Sequence, residues 1–173
     1  MKPEVIDNFL GKKEFDDLQV LMMGSDVYWS YTDEIDYKGQ EDVDKFQFVH
    51  MFYYHATYCS QLSEILKPTL EIINPISLWR IKANLSTRTP KIVENVFHID
   101  MNDLSKEKLK QWTTSIFYIN TNNGYTEFED GTQVESVANR LVTFSTNLKH
   151  RGTTCTDQKK RVVINFNYFS RYS

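Results

Sequence analysis

Two histidines and one aspartate define the chemistry within reach of this chain. His98 and Asp100 stand two residues apart in the run KIVENVFHID, a spacing that puts both side chains on one face of an extended strand. His150 follows far downstream, where a different strand would bring it in as a third ligand. Two imidazoles and one carboxylate on one side of a metal suit a non-haem Fe(II) ion, because the remaining positions stay open for a bidentate co-substrate and O2. A closed structural zinc site prefers four protein ligands, and this constellation offers three.

Arg161 opens the last apolar run, RVVINFNYF. Alternation puts Arg161, Val163, Asn165 and Asn167 on one face and Val162, Ile164, Phe166 and Tyr168 on the other. The second face reads as core. The first carries a guanidinium and two amides, as a strand lining a polar pocket would. A guanidinium grips a carboxylate through parallel charge-assisted hydrogen bonds, each contributing about 1.5–3 kcal/mol. Lys160 sits beside it, but alternation turns only one of the two inward, and the asparagines select Arg161. The run TTSIFYIN presents Thr114, Ile116 and Tyr118 on one face, a hydroxyl, a branched alkyl wall and a phenol that can bracket an aliphatic dicarboxylate.

The other two histidines, His50 and His55, are offset by an odd number in the aromatic run FQFVHMFYY. They therefore point to opposite faces and are expected to pack in a core or interface rather than share an ion. Between Asp33 and Lys45 the acids Asp33, Glu34, Asp36, Glu41, Asp42 and Asp44 outnumber Lys38 and Lys45. Such a run reads as a solvated loop; as a cover over the site it would favour a cationic or neutral substrate.

The elements that position these residues are mostly short strands. VIDNFL reads as a strand and KKEFDDLQVLMM as a helix with Phe15, Leu18, Leu21 and Met22 on one face. Gln61 to Ile73 has Leu62, Ile65, Leu66, Leu70 and Ile73 at helical spacing, with Pro68 as a kink or break. From Ser77 onward the runs SLWRIKANL, KIVENVFHID, TTSIFYIN, GYTEF, TQVESV, NRLVTFS and RVVINFNYF read as strands, with Asp130-Gly131 as a two-residue hairpin turn. This predicts one domain over 1–173: a helical and aromatic N-terminal support (1–76) and a β core with the site (77–173). The fold class is mainly β with flanking helices, a jelly roll or cupin-like double-stranded β-helix.

Composition narrows the function classes. The chain has 173 residues, a net charge of -3 and 14% aromatic residues, enough for one sizeable core and without general attraction for nucleic acid. Cys59 and Cys155 have no metal-type spacing and read as free thiols in a reducing compartment. The start lacks a secretory leader, and no apolar run approaches the roughly 18 residues that cross a bilayer. A cytoplasmic protein is expected, with no membrane partner and with its oligomeric state unread.

Taken in order, RIKANL, FHID, FYINTNNGYTEF, RLVTF, KHRG and KRVVINFNY resemble the Fe(II)- and 2-oxoglutarate-dependent oxygenases, in particular the prolyl-4-hydroxylase-like branch in its short stand-alone phage and microbial form. The resemblance spans Trp79 to Tyr168, about half the chain. It implies Fe(II), 2-oxoglutarate and O2 as cofactor and co-substrates, with His98, Asp100 and His150 as catalytic iron ligands. Arg161 is implied as the partner of the distal carboxylate, with Tyr118 reaching the same group and Thr114 as companion. Asn84 is similar to a residue touching the co-substrate, and Asn165 is placed on the oxygen or substrate side of the iron. NNGYTEF resembles a Gly-Gly-x-Thr-x-Phe turn with Asn123 in place of the first glycine, a mild departure because asparagine tolerates positive φ. Where relatives have Asn-x-Tyr, this chain has Asn84-Leu85-Ser86, so the tyrosine's role is vacant or filled otherwise. Relatives that halogenate lack the carboxylate ligand; Asp100 therefore implies hydroxylation of a peptide side chain, an amino acid or a small metabolite. The alternative is a non-catalytic cupin-like metal-binding or interaction module.

Overall fold

The structure, a computed structural model, describes residues 2–33, 35, 45–101 and 104–170. The chain begins with strand β1 (Glu4–Asp7), followed by helix α1 (Lys12–Met23). Phe15, Leu18 and Met22 are buried along one stripe of α1, while Lys12–Asp16 and Lys13–Asp17 pair one turn apart on its exposed side. Each fully buried side chain of this kind contributes about 1.5–3 kcal/mol. Then come β2 (Ser30–Thr32), β3 (Gln47–Tyr54) and β4 (Thr57–Tyr58). The predicted helix from Gln61 is broken: a 3-10 turn covers Ser63–Leu66 and α2 starts at Lys67, ending at Ile73. Pro68 sits in the first turn of α2, where its missing N–H has no intrahelical partner to lose.

Beyond this lie β5 (Ser77–Thr87), α3 (Lys106–Leu109), β6 (Trp112–Tyr118), β7 (Tyr125–Phe128), β8 (Gln133–Glu135), β9 (Arg140–Ser145), β10 (His150–Gly152) and β11 (Lys160–Phe169). Eight strands form a major antiparallel sheet in the order β1-β9-β6-β11-β5-β3-β2, with β4 paired to β3, and β10-β7-β8 form a minor sheet. Strands of the first 76 residues thus extend the sheet that carries β11. No helix among the described residues is long and apolar enough to cross a membrane.

Two apolar clusters flank the major sheet. The larger joins Leu18 and Met22 of α1 to Ile81, Phe117, Val162, Ile164 and Phe166. The smaller lies on the opposite face and joins Ile116, Val142, Phe144 and Val163 to Phe128 and Val134 of the minor sheet. Alternation along β11 therefore divides the strand as expected: even-numbered residues meet the helices and odd-numbered ones face the minor sheet, with polar residues at both ends of the inner row.

Three local expectations are corrected. KIVENVFHID is not a strand; its contacts with β10 and Thr153 reduce to the isolated bridges Glu94↔Thr153 and His98↔His150. One side advances from 94 to 98 while the other advances only from 153 to 150, so an extra residue interrupts the ladder as in a bulge. The β7–β8 connection is not a two-residue turn: Phe128 N–H donates to Thr132 O and Gly131 N–H to Phe128 O. This is a three-residue loop with Gly131 at φ +84°, the left-handed position glycine occupies without strain. His55 (φ +48°) lies in the exposed turn after β3 rather than on the strand. His50 is packed, its Nδ1 bonded to Tyr28 O (2.7 Å) and its Nε2 to Ser60 Oγ (2.9 Å).

Candidate metal centre and co-substrate pocket

The bridge between His98 and His150 delivers two imidazoles to the inner face of the major sheet, and Asp100 follows from the same irregular segment. One nitrogen or oxygen from each of His98, Asp100 and His150 lies within 4.8 Å of the others. His98 Nδ1 bonds Val96 O at 3.0 Å and His150 Nδ1 bonds Leu148 O at 3.3 Å. A carbonyl only accepts, so Nδ1 is the donor in each ring, which leaves Nε2 as the nitrogen that would serve an ion. His98 Nε2 is 3.9 Å from Asp100 Oδ1.

Asp100 is fixed from behind. Its side chain is 5% exposed; Oδ1 lies 3.3 Å from Arg80 Nη2, and Oδ2 accepts from Asn167 Nδ2 at 2.9 Å. Burial opposes its ionisation, but Arg80, His150, His98 and the Asn167 hydrogen bond outweigh burial and hold the carboxyl well below the usual carboxylate range. An ionised carboxylate grouped with two imidazoles is a donor set that fits Fe(II).

Arg161 is 5% exposed and closes the other end of the pocket. Its Nε donates to Ser136 Oγ at 2.8 Å, and Nη2 lies 3.4 Å from Tyr125 O and 3.3 Å from Thr126 Oγ1. All of these partners are neutral. Among the described residues no carboxylate pairs with it, and burial lowers its pKa. An unpaired buried cation costs several kcal/mol, so this position is made for an anion that arrives from outside.

The space between these ends is lined by Ile116, Thr126, Val163, Asn84, Asn95 and Asn165, with Ile35, Gln47, Lys82 and Ser86 further round the wall. The side-chain oxygens of Asn84, Asn95 and Asn165 are buried without a hydrogen-bond partner, a deficit that a bound polar ligand would remove. Asn84 and Asn165 both line this pocket. Tyr118 and Thr114 do not reach that wall. Tyr118 Oη donates to Thr126 Oγ1 at 2.8 Å, with its ring 5.7 Å from the Arg161 guanidinium carbon. It supports the arginine end through Thr126. Thr114 is fully buried at the opposite end, bonded to Thr146 Oγ1 (3.0 Å) and to Asn167 Nδ2 (3.1 Å), beside the Asp100 clamp. The acidic 33–45 segment lies outside the described residues apart from Asp33, Ile35 and Lys45.

Sequence reading overlooked Arg80, Asn95, Thr126 and Ser136. Arg80 had a legible signal: alternation along SLWRIKANLS puts Arg80, Lys82, Asn84 and Ser86 on one face, and the register pairs them with Asn167, Asn165, Val163 and Arg161. The signal for Thr126 was weaker, since β7 is only four residues long.

Compared as a sequence, the chain matches no family model and no curated protein. In three dimensions it is similar to a prolyl hydroxylase of Trichoplax adhaerens in complex with a hypoxia-inducible-factor oxygen degradation domain peptide fragment (TM-score 0.69, 14% identity, covering 97% of this chain and 83% of that one). It is also similar to the viral collagen prolyl hydroxylase of Paramecium Bursaria Chlorella virus-1 in its 2OG complex (TM-score 0.59, 16% identity, 98% and 96% covered). A third likeness is HygX from Streptomyces hygroscopicus with nickel and 2-oxoglutarate bound (TM-score 0.61, 9% identity, 98% and 83% covered). At these identities the likeness establishes architecture: the chain has the double-stranded β-helix fold of the 2-oxoglutarate Fe(II) oxygenases.

Proposed function

We propose that this protein is an Fe(II)- and 2-oxoglutarate-dependent dioxygenase that hydroxylates a peptide side chain, an amino acid or a small metabolite. The observation that carries this reading is the buried guanidinium of Arg161, without an anionic partner among the described residues, facing the same pocket as the His98–Asp100–His150 cluster. A metal-binding or interaction module without catalysis would leave that cation unexplained.

The residues divide the work along the pocket. Nε2 of His98, Nε2 of His150 and a carboxylate oxygen of Asp100 would hold the ion. Arg161, steadied by Ser136 and Thr126, would take the far carboxylate of the co-substrate. Ile116 and Val163 would form apolar walls beside its methylene carbons, and the amide nitrogens of Asn84 and Asn165 would be the groups able to donate to its oxygens. When bound, Fe(II) supplies the oxidative decarboxylation of 2-oxoglutarate by O2 and oxygen transfer to a substrate C–H bond. The protein orients the reactants and keeps water away from the buried end.

Neighbours of this fold include one in complex with a peptide fragment and one with hygromycin B bound, so the fold accommodates bound partners of both sizes. A reducing, cytoplasmic setting fits two unpaired thiols, Cys59 exposed and Cys155 buried. The test is succinate formation from 2-oxoglutarate with Fe(II) and O2, without added substrate. The wild-type protein should turn over slowly, and His98→Ala and Asp100→Ala should not. No succinate from the wild-type protein, together with no stabilisation by 2-oxoglutarate in a thermal melt, overturns the proposal.

A further inference from the structure

Asp100 has both carboxylate oxygens engaged by protein donors before any ion arrives. Oδ2 accepts from Asn167 Nδ2 at 2.9 Å, and Oδ1 lies 3.3 Å from Arg80 Nη2 while facing His98 Nε2 at 3.9 Å. The amide of Asn167 cannot turn away. Its Oδ1 accepts from Arg80 Nε at 3.2 Å and its Nδ2 also donates to Thr114 Oγ1 at 3.1 Å. Arg80 has only donors, so the amide oxygen must face it and the NH2 group must face Asp100. Arg80 Nη2 also reaches the Asp100 backbone carbonyl at 3.3 Å. Asn167 is fully buried, and Arg80 and Asn167 are paired in register across β5 and β11. The clamp is therefore built into the sheet.

We propose that Arg80 and Asn167 are positioning residues that restrict Asp100 to one metal-bound oxygen. The inference rests on the Fe(II) reading above. Carboxylates bind hard cations through one oxygen or chelate through two. In an octahedral ion, two imidazoles and one oxygen leave three positions open. A chelating aspartate would take one of those three. The two that remain would seat the bidentate 2-oxo acid and leave none for a third exogenous ligand. Tying Oδ2 back to a buried amide keeps the third position open. The guanidinium beside Oδ1 adds a positive charge that weakens the carboxylate's hold on the ion, so the clamp favours open positions over metal affinity.

The test uses the full chain loaded with Co(II), read by its d–d absorption and by titration. Asn167→Leu keeps the side-chain volume and frees Oδ2; Arg80→Met removes the guanidinium. The expected result is Co(II) affinity equal to or tighter than that of the parent, with affinity of the Co(II)- and 2-oxoglutarate-loaded protein for a third exogenous ligand, azide, at least tenfold weaker. Arg80→Lys, which keeps the charge and loses the fork, should fall between. Parallel loss of Co(II) affinity, azide affinity and melting temperature indicates scaffolding alone and overturns the inference, as do parental values for both Co(II) and azide. Either single variant serves if the other does not fold. A parent that takes up no Co(II) overturns the Fe(II) reading and this inference together. A parent that binds both ligands beside unaltered variants overturns this inference alone.

Discussion

His98 and His150 exchange both backbone hydrogen bonds, N–H to O at 3.0 Å in each direction. The pair is an isolated bridge rather than part of a ladder, yet it fixes two imidazoles from distant parts of the chain with ring centroids 4.9 Å apart. The main chain makes this contact, so it survives replacement of either side chain. Metal binding and folding can therefore be separated experimentally.

Alanine at either histidine should lower Fe(II) or Co(II) affinity at least a hundredfold and abolish succinate formation. The stability costs should differ. His150 is buried against Phe144 (4.8 Å) and Phe128 (6.2 Å), so His150→Ala should cost about 1–3 kcal/mol in urea unfolding. His98 is partly exposed, and its alanine variant should stay within about 0.5 kcal/mol of the parent. Equal destabilisation, or retained metal uptake by either variant, would count against the site.

Arg161→Met should separate binding from stability. Loss of two charge-assisted hydrogen bonds, about 1.5–3 kcal/mol each, predicts a fall of at least a hundredfold in 2-oxoglutarate affinity. Replacing buried charge by an apolar chain of similar volume is often neutral or stabilising, so the ligand-free variant should lose no more than about 1 kcal/mol of stability. The comparison is a thermal melt with and without 2-oxoglutarate: the wild-type midpoint rises with ligand and the variant midpoint does not. A strongly destabilised variant that still responds to ligand would make Arg161 a structural residue.

The legible and hidden parts of this site differ for a physical reason. Period-two alternation is strong along the ten residues of β11 and the eleven of β5, so the inner face bearing Arg161, Asn165 and Asn167 could be read directly. The KIVENVFHID segment looked like a strand because its residues favour extended backbone, but a mismatch in register with β10 leaves only two bridges. His98 and Asp100 converge through those bridges and through Arg80, neither of which a periodic pattern encodes. Tyr118 shows the complementary limit. Alternation put it on the inner face, but only its cross-sheet partner, Thr126, shows that its hydroxyl is spent inside the wall.

Acid should weaken the metal-free protein through Asp100. Burial favours its protonated form, but Arg80, the two imidazoles and Asn167 prevail and depress the folded-state pKa. The unfolded carboxyl titrates near about 3.9. Between those values the unfolded chain binds more protons than the folded one, so this contribution to stability is complete above about pH 4 and declines below it. Urea midpoints measured from pH 6 down to pH 3 should fall more steeply for the wild-type protein than for Asp100→Asn. Parallel curves would show that the clamp contributes nothing to stability in the absence of metal.

Gly124 sets how closely the arginine end can pack. A Cβ there would lie 2.7 Å from Thr154 O and 2.8 Å from both Arg161 Cδ and Asn122 Oδ1, and two of these atoms have little freedom: a backbone carbonyl and an amide that already accepts from Gly124 N–H at 2.9 Å. Arg161 Cδ is then the atom that must shift, carrying the guanidinium with it. Gly124→Ala should therefore cost about 1–3 kcal/mol from overpacking and weaken 2-oxoglutarate binding more than tenfold. Gly131 provides the contrast: a Cβ there meets nothing within 4 Å, but its φ is +84°. Gly131→Ala should cost about 1–2 kcal/mol of backbone strain and leave ligand affinity at the parental value. Urea unfolding and 2-oxoglutarate titration on both variants give two stability losses of similar size with only one affinity loss. If Gly124→Ala binds the co-substrate normally, Arg161 does not hold its carboxylate.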